Sequence, residues 1–347
     1  MRYKLLGKSG LRVSELCLGT MTFGTDWGWG ASREESRRIF DAFAEAGGNF
    51  VDTANLYTNG TSERLVGEFI GADRARFVVA TKYTLNTRPD DPNGGGNHRK
   101  NLVQSLEESL RRLGTDYVDL YWVHAWDPFT PVEETMRALD DVVRAGKVLY
   151  AGISDAPAWV VARGETLAEW RGWSPFVGLQ IPYSLIERTP ERELLPMAES
   201  LGLTVTPWGA LGGGALTGKY RAREQRPPDA RYGSEPAWGD IYLTDRNLAI
   251  ADEVAKVAGE TGWSASQVAL AWTRQRLPSA VPIIGARKVP QLKENLGCLE
   301  IELSAAHMRQ LDEVSRIDLG FPLAFLAQVR EIVYGKTFAL IEGRRAA

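Results

Sequence analysis

The chain has 347 residues, 44% of them hydrophobic and 24% charged, which is enough apolar side chain to bury one large core and too ordinary a balance for disorder. Its formal net charge of -3 argues against a general nucleic-acid or anionic-membrane surface, since those partners demand clustered Lys and Arg. The two cysteines, Cys17 and Cys298, stand far apart with no C-x-x-C pairing, so neither a disulfide framework nor a metal site is expected and a reducing compartment is.

Residues 1–10 carry no apolar segment of the kind a secretory signal needs. No stretch approaches the roughly 18 apolar residues of a membrane helix, so a cytoplasmic location with no membrane partner is expected. Residues 1–15, with Gly7 and Gly10 around a polar tip, read as a β-hairpin plug. A strand at 16–21 leads to an aromatic, Gly-rich loop at 23–30 and a helix from Arg33 with Ile39, Phe40 and Phe43 on one face. The alternation then repeats. Short apolar runs fall at 50–54, 77–81, 118–123, 148–153, 177–181, 203–207 and 281–284, with helical stretches between most of them. The clearest helix sets Leu102, Leu106, Leu110 and Leu113 on one stripe.

Runs of this kind, bounded by turn residues and separated by amphipathic helices, favour parallel strands buried on both faces. Eight of them in a chain of this length predict an α/β fold, a closed (β/α)8 TIM barrel forming a single domain over 1–347. An open doubly wound sheet is the other option. Against it, the G-x-G-x-x-G candidates starting at Gly28, Gly94 and Gly212 all fail at the last glycine. The G-x-x-x-x-G-K match from Gly213 to Lys219 fails too, because Tyr220 stands where a P-loop needs Ser or Thr.

Two connections are too long for plain turns: 84–97, containing P-D-D-P-N-G-G-G, and 212–244, containing R-P-P-D-A-R-Y-G-S-E-P-A-W-G. Both leave the carboxyl ends of strands and are expected to serve as lids or binding loops. The segment 322–347 is expected to form an apolar-striped helix that caps the barrel, followed by a tail whose I-E-G-R at 341–344 matches a processing-protease site.

Four polar residues fall at strand ends: Asp52 with Tyr57 just beyond it, Lys82 in A-T-K-Y, and His124 in L-Y-W-V-H-A. Singly, the histidine reads as structural, the lysine as a solvated strand end and the tyrosine as a loop aromatic. Together they would share one rim of a barrel, where neighbouring strand ends lie about 5 Å apart. A phenol is a poor acid at neutral pH, and an adjacent ammonium favours its anion and pulls its pKa down. On this reading Lys82 acts on Tyr57, Asp52 holds Lys82 charged, and His124 donates to a substrate oxygen that becomes negative. That suits carbonyl reduction, which needs a hydride source beside it.

The segments G-K-S-G-L-R-V-S-E-L-C-L-G-T-M-T-F-G, V-D-T-A-N-L-Y, A-T-K-Y, D-L-Y-W-V-H, G-K-V-L-Y-A-G-I-S-D, Q-I-P-Y-S-L, P-W-G-A-L-G-G-G-A-L-T-G-K-Y and I-I-G-A-R-K-V-P-Q-L-K-E-N-L stand in order along the chain. In them the sequence resembles the aldo-keto reductases over nearly its whole length. The resemblance implies a (β/α)8 barrel, NADPH bound in extended form without a Rossmann motif, and the tetrad Asp52, Tyr57, Lys82 and His124 as catalytic residues.

It implies that Ser154 and Gln180 bond the nicotinamide carboxamide, that Trp208 stacks on the ring, and that Gly209, Ala210, Leu211, Gly212, Gly213 and Lys219 wrap the pyrophosphate. Thr20, Met21, Asp52 and Gly285 fall in the same cofactor set. Asp155 stands where the pattern more often has Asn or Arg; before Ala156 and Pro157 it also reads as a helix N-cap. Arg287, Gln291, Glu294 and Asn295 match the adenosine end, and Arg287 with Lys288 favours NADPH over NADH. Loop aromatics Phe23, Trp27, Trp29, Tyr83 and Trp126 are the candidate substrate pocket, while Trp170 and Trp272 read as packing residues.

Two other readings stay open. Potassium channel β-subunits, regulatory NADPH-binding proteins, resemble the same sequence group, but Asn is typical there where this chain has His124. A Schiff-base lysine at Lys82 needs a neutral amine, which Asp52 opposes. The expected partner is a small-molecule carbonyl substrate, and monomer and homo-oligomer both remain open.

Overall fold

The computed structural model describes residues 1–220, 226–227, 230–234 and 236–341. Strands β1 (Tyr3–Leu5) and β2 (Arg12–Ser14) form an antiparallel hairpin. After it come β3 (Cys17–Gly19), β4 (Phe50–Asp52), β5 (Val78–Tyr83), β6 (Val118–Val123), β7 (Val148–Ser154), β8 (Phe176–Pro182), β9 (Thr204–Trp208) and β10 (Ile283–Ile284). These eight run in one sheet in the order β10-β3-β4-β5-β6-β7-β8-β9. The N–H of Val281, just ahead of β10, donates to Val205 O of β9 at 2.9 Å and brings the two ends of the sheet together. The architecture is the expected (β/α)8 barrel, with some strands shorter than their apolar runs. Thr20 O already accepts from Phe23 N–H in a turn, which ends β3, and Pro282 has no N–H to add to the ladder of β10.

Helices α1 (Arg33–Glu45), α2 (Thr61–Ile70), α3 (Arg99–Leu113), α4 (Val132–Arg144), α5 (Ala158–Arg171) and α6 (Leu194–Leu201) alternate with the strands. Between β9 and β10 lie α7 (Arg231–Ser234), α8 (Pro236–Tyr242), α9 (Asp245–Thr261) and α10 (Ala265–Arg276); α11 (Val289–Leu296), α12 (Ala305–Val314) and α13 (Leu323–Tyr334) follow. In α3 the leucine stripe faces the core, the His98 side chain accepts from Asn101 N–H, and Gly114 at φ 64 stops the helix. Of the long connection 212–244, residues 221–225, 228–229 and 235 lie outside the described residues, as do 342–347 with most of the I-E-G-R match.

Side chains alternate along each strand. Phe50, Val78, Ala80, Leu120 and Trp122 point into the barrel, while Val51, Val79, Tyr83, Tyr121 and Val123 join the sheath of helices. Trp122 is fully buried, and Gly152 and Gly178 make room for its ring: a Cβ at either would lie 2.3 or 2.9 Å from it. At the amino-terminal mouth Leu6 and Val13 of the hairpin complete the inner core, so the hairpin is the expected plug. Gly7, at φ +58, lets that plug approach β8, where a Cβ would lie 2.2 Å from Val177 O.

Two expectations fail. Helix α13 forms but lies at the surface rather than as a buried cap: none of its residues is fully buried, Leu323, Ala324 and Val329 are half-buried, and Phe325 and Ile332 are exposed. Only its start meets the outer layer of the barrel, where Leu323 shares a groove with Ala158 of α5 and Leu194 of α6. Trp170 is 83% exposed, on the outer face of α5, whereas Trp272 is fully buried as expected.

Candidate active site

Alternation decides which polar residues meet. Asp52 lies two residues beyond Phe50, Lys82 two beyond Ala80, and His124 two beyond Trp122, so all three continue the inward-facing rows to the carboxyl rim. Tyr57 arrives by another route. After β4 the chain makes a tight turn in which Thr58, Asn59 and Gly60 have φ of 45, 55 and 84°. Thr58 is buried and pinned, its Oγ1 donating to Phe23 O at 2.7 Å and accepting from Ser62 N–H at 3.0 Å. Holding a β-branched residue in the left-handed region costs roughly 1–3 kcal/mol, the kind of strain that fixes a functional side chain.

The result is a linked cluster. Lys82, fully buried, pairs with Asp52 Oδ1, donates to Thr53 O at 2.8 Å and donates to Tyr57 Oη at 3.1 Å, which uses its three N–H bonds. Gln180 Nε2 donates to the other Asp52 oxygen at 3.0 Å. The His124 ring stands edge-on to Tyr57, centroids 5.8 Å apart, and its buried Nδ1 has no hydrogen-bond partner.

The electrostatics follow from this packing. Burial pushes the Lys82 pKa down, but the Asp52 carboxylate and the Tyr57 oxygen outweigh it and the net shift is upward, so the amine stays charged. Burial lowers His124 well below the ordinary histidine value, Lys82 adds to it, and the imidazole is neutral. For Tyr57 burial raises the pKa more than Lys82 lowers it, so the net shift is upward. This corrects the expected sign: the phenol is a firmly protonated donor, not an acidified one.

Above this cluster opens a cleft of about 710 Å3. It is lined by Asp52, Tyr57 and His124; by Ser154, Asp155, Gln180 and Trp208; by Gly209, Ala210, Leu211, Gly212, Gly213 and Lys219; by Gly285, Arg287, Gln291, Glu294 and Asn295; and by Met21, Trp27 and Trp29. Lys82 lies beneath the floor. Ser154 Oγ is buried and makes no well-formed hydrogen bond. Asp155 does not cap α5, whose N-cap is Pro157; its Oδ1 instead accepts from Trp208 Nε1 at 3.1 Å. Gly212, Gly213 and Gly214 have φ of 56, 61 and 103°, and a Cβ on Gly213 would lie 2.2 Å from Tyr232 Oη.

Four candidates lie elsewhere. Phe23 is fully buried against Phe69 and Tyr83 is stacked on Tyr121, both behind the barrel wall, and Trp126 packs partly buried against the core. Strand parity turns Tyr83 outward. Thr20 is buried with its hydroxyl on Asp52 O and Ser62, so it supports the rim without lining the cleft. The sequence reading missed lining residues Leu85, Glu187, Arg231, Trp238 and Tyr242. For three of these the signal was present, as an aromatic and basic cluster inside the long 212–244 connection.

Comparison with known proteins gives the family. The model of the Aldo/keto reductase family matches residues 15–316. A norsolorinic acid reductase of Emericella nidulans is 40% identical over 328 residues, 92% of this chain and 82% of that protein. An aryl-alcohol dehydrogenase [NADP(+)] of Phanerodontia chrysosporium is 39% identical over 90% of this chain and 85% of its own. A putative aryl-alcohol dehydrogenase of Saccharomyces cerevisiae is 36% identical over 94% and 89%. With a matching family model across most of its length, this chain belongs to the aldo/keto reductases.

Proposed function

We propose that this chain is an NADPH-dependent reductase of aldehydes or ketones in which Tyr57 protonates the carbonyl oxygen. The observation that carries the reading is the contact of the buried, charged Lys82 with Tyr57 Oη at 3.1 Å, on the floor of a cleft. Several features of the walls fit a dinucleotide phosphate. The turn at Gly212–Thr217 presents backbone that a Cβ would crowd, Lys219 and Arg287 supply cations to the same cleft, Ser154 Oγ makes no well-formed hydrogen bond, and His124 Nδ1 is unpartnered. The printed name of the Phanerodontia relative, which specifies NADP(+), supports the same preference.

When bound, the nicotinamide supplies the hydride. Tyr57 donates its proton to the substrate oxygen as that oxygen becomes an alkoxide, a stronger base than a phenolate, so the transfer runs downhill even from a phenol with a raised pKa. Lys82 stabilises the phenolate left behind, and Asp52 fixes Lys82. Neutral His124 donates to the same substrate oxygen. A histidine at that place favours turnover over a purely regulatory NADPH-binding role, and a lysine kept charged does not serve as a Schiff-base amine.

The test is Tyr57→Phe. Reduction of an aromatic aldehyde, followed as loss of absorbance at the reduced-nicotinamide band, should fall by about 100-fold or more while NADPH affinity stays within about threefold. A Tyr57→Phe protein that turns over at the parent rate refutes the assignment.

A further inference from the structure

Asp155 is the one acidic side chain on the β7 rim of the cleft, and it is held there at a cost. Its φ of +42° is a conformation that Asp and Asn tolerate and most side chains avoid. Trp208 Nε1 donates to its Oδ1 at 3.1 Å, and the Trp126 N–H donates to its carbonyl at 3.3 Å. The residue is exposed, yet the space it is exposed to is the cleft. Its field reaches the catalytic floor and the loop above: it contributes to raising both Tyr57 and Tyr242. The cations of the cleft sit mainly elsewhere. Lys219 and Arg287 follow β9 and β10, while Tyr57, His124 and Asp155 follow β4, β6 and β7. Arg231 stacks over Trp29, and at Tyr242 its charge opposes those of Glu187 and Asp155.

Resting on the reductase reading, we propose that Asp155 is a specificity-determining residue that confines this cleft to uncharged carbonyl substrates and turns away those bearing a carboxylate. The chemistry is that of like charges in a space walled by protein: repulsion there is several times stronger than in bulk water, and the cation bonded to Tyr57, Lys82, lies beneath the floor with its three N–H bonds engaged. The crowding walls raise the Asp155 pKa to about 6, opposed by the Trp208 hydrogen bond and by Lys82, so the carboxylate is mostly ionised at pH 7 and above.

Asp155→Asn is a clean probe. Asn accepts the Trp208 N–H through its amide oxygen, tolerates the same φ, and removes the charge while placing an NH2 donor where the second carboxylate oxygen stood. The measurement is the ratio of kcat/KM for methyl 4-formylbenzoate over 4-formylbenzoate, which cancels any effect common to both substrates. The parent should prefer the ester by about tenfold or more, and Asp155→Asn should shrink that preference by about tenfold. A ratio unchanged within about twofold overturns the proposal. A second arm needs no turnover: binding of benzoate and benzamide, read by quenching of the indoles lining the cleft. Asp155→Asn should tighten benzoate by about tenfold relative to benzamide, and equal changes in both overturn the proposal. If the parent reduces no aldehyde, the reductase reading falls, and the binding arm still decides the role of Asp155.

Discussion

Replacing Lys82 by Met removes one charge and keeps an apolar stem inside the barrel. Two unit charges at the observed 3.1 Å separation of Nζ and Oη interact by about 5 kcal/mol at an effective dielectric of about 20. That attraction belongs to the phenolate, so it is realised only as the proton leaves Tyr57. With the charge half developed in the transition state the loss is about 2.5 kcal/mol, and with it fully developed about 5, which brackets a fall in kcat/KM of roughly two to four decades. The substitution also leaves the buried Asp52 carboxylate facing only Gln180, and breaking a buried pair costs about 3–5 kcal/mol. The companion variant Lys82→Met with Asp52→Asn removes that unpaired charge, so urea unfolding should find the double variant more stable than the single one. Aldehyde reduction with NADPH is then measured on the double variant. If it unfolds near the parent midpoint and keeps kcat/KM within tenfold, the lysine does not act on the phenol and the scheme is wrong.

The pH profile carries its own sign. Tyr57 is raised above 10, chiefly by burial, so its donor form is present below that raised value and lost as pH climbs through it. His124 lies well below 6.5 and Asp155 at about 6, so neither titrates above neutrality. Reduction should therefore hold its kcat/KM within about twofold between about pH 7 and 9, and a midpoint inside that window would contradict the Tyr57 assignment. Arg287→Ala should weaken NADPH by about tenfold or more and NADH by less than about threefold in fluorescence titrations, since only the former carries the extra phosphate; equal losses would remove Arg287 from that role. Ending the chain after Asp318 should shift the thermal midpoint by less than about 4 °C, because α13 has no fully buried side chain. A larger drop would mean that the terminal helix packs against something after all.

How much of this was legible in the sequence follows from periodicity. Parallel strands buried on both faces leave unbroken apolar runs, and the leucine stripe of α3 leaves a helical one, so the barrel could be counted before its ends could be placed. The ends depend on hydrogen bonds that composition does not encode, such as the turn from Phe23 N–H to Thr20 O that ends β3. Helix α13 was misjudged for a similar reason. An apolar stripe says that a face prefers burial, not that a wall lies within reach, and here Phe325, Leu326 and Ile332 remain exposed. Trp170 failed the same test on the outside of α5.

At the site, strand parity separated what could be read from what could not. Asp52, Lys82 and His124 share the inward parity of Phe50, Ala80 and Trp122, whereas Tyr83 stands one residue beyond Lys82 and so turns away to stack on Tyr121. Counting from the strand core would have excluded it as a pocket residue. Trp238 and Tyr242 obey no such parity, because the connection after β9 folds into α7 and α8 and brings its aromatics over the cleft. The direction of the Tyr57 shift was the least accessible of all. A neighbouring ammonium favours the phenolate and a desolvated surrounding opposes it, and only the packing decides which prevails. Here the surrounding prevails in the resting protein. On the proposed mechanism, therefore, Lys82 acts not by loosening the proton beforehand but by stabilising the anion at the moment the proton moves, so its removal should lower the rate while leaving the pH profile near neutrality flat.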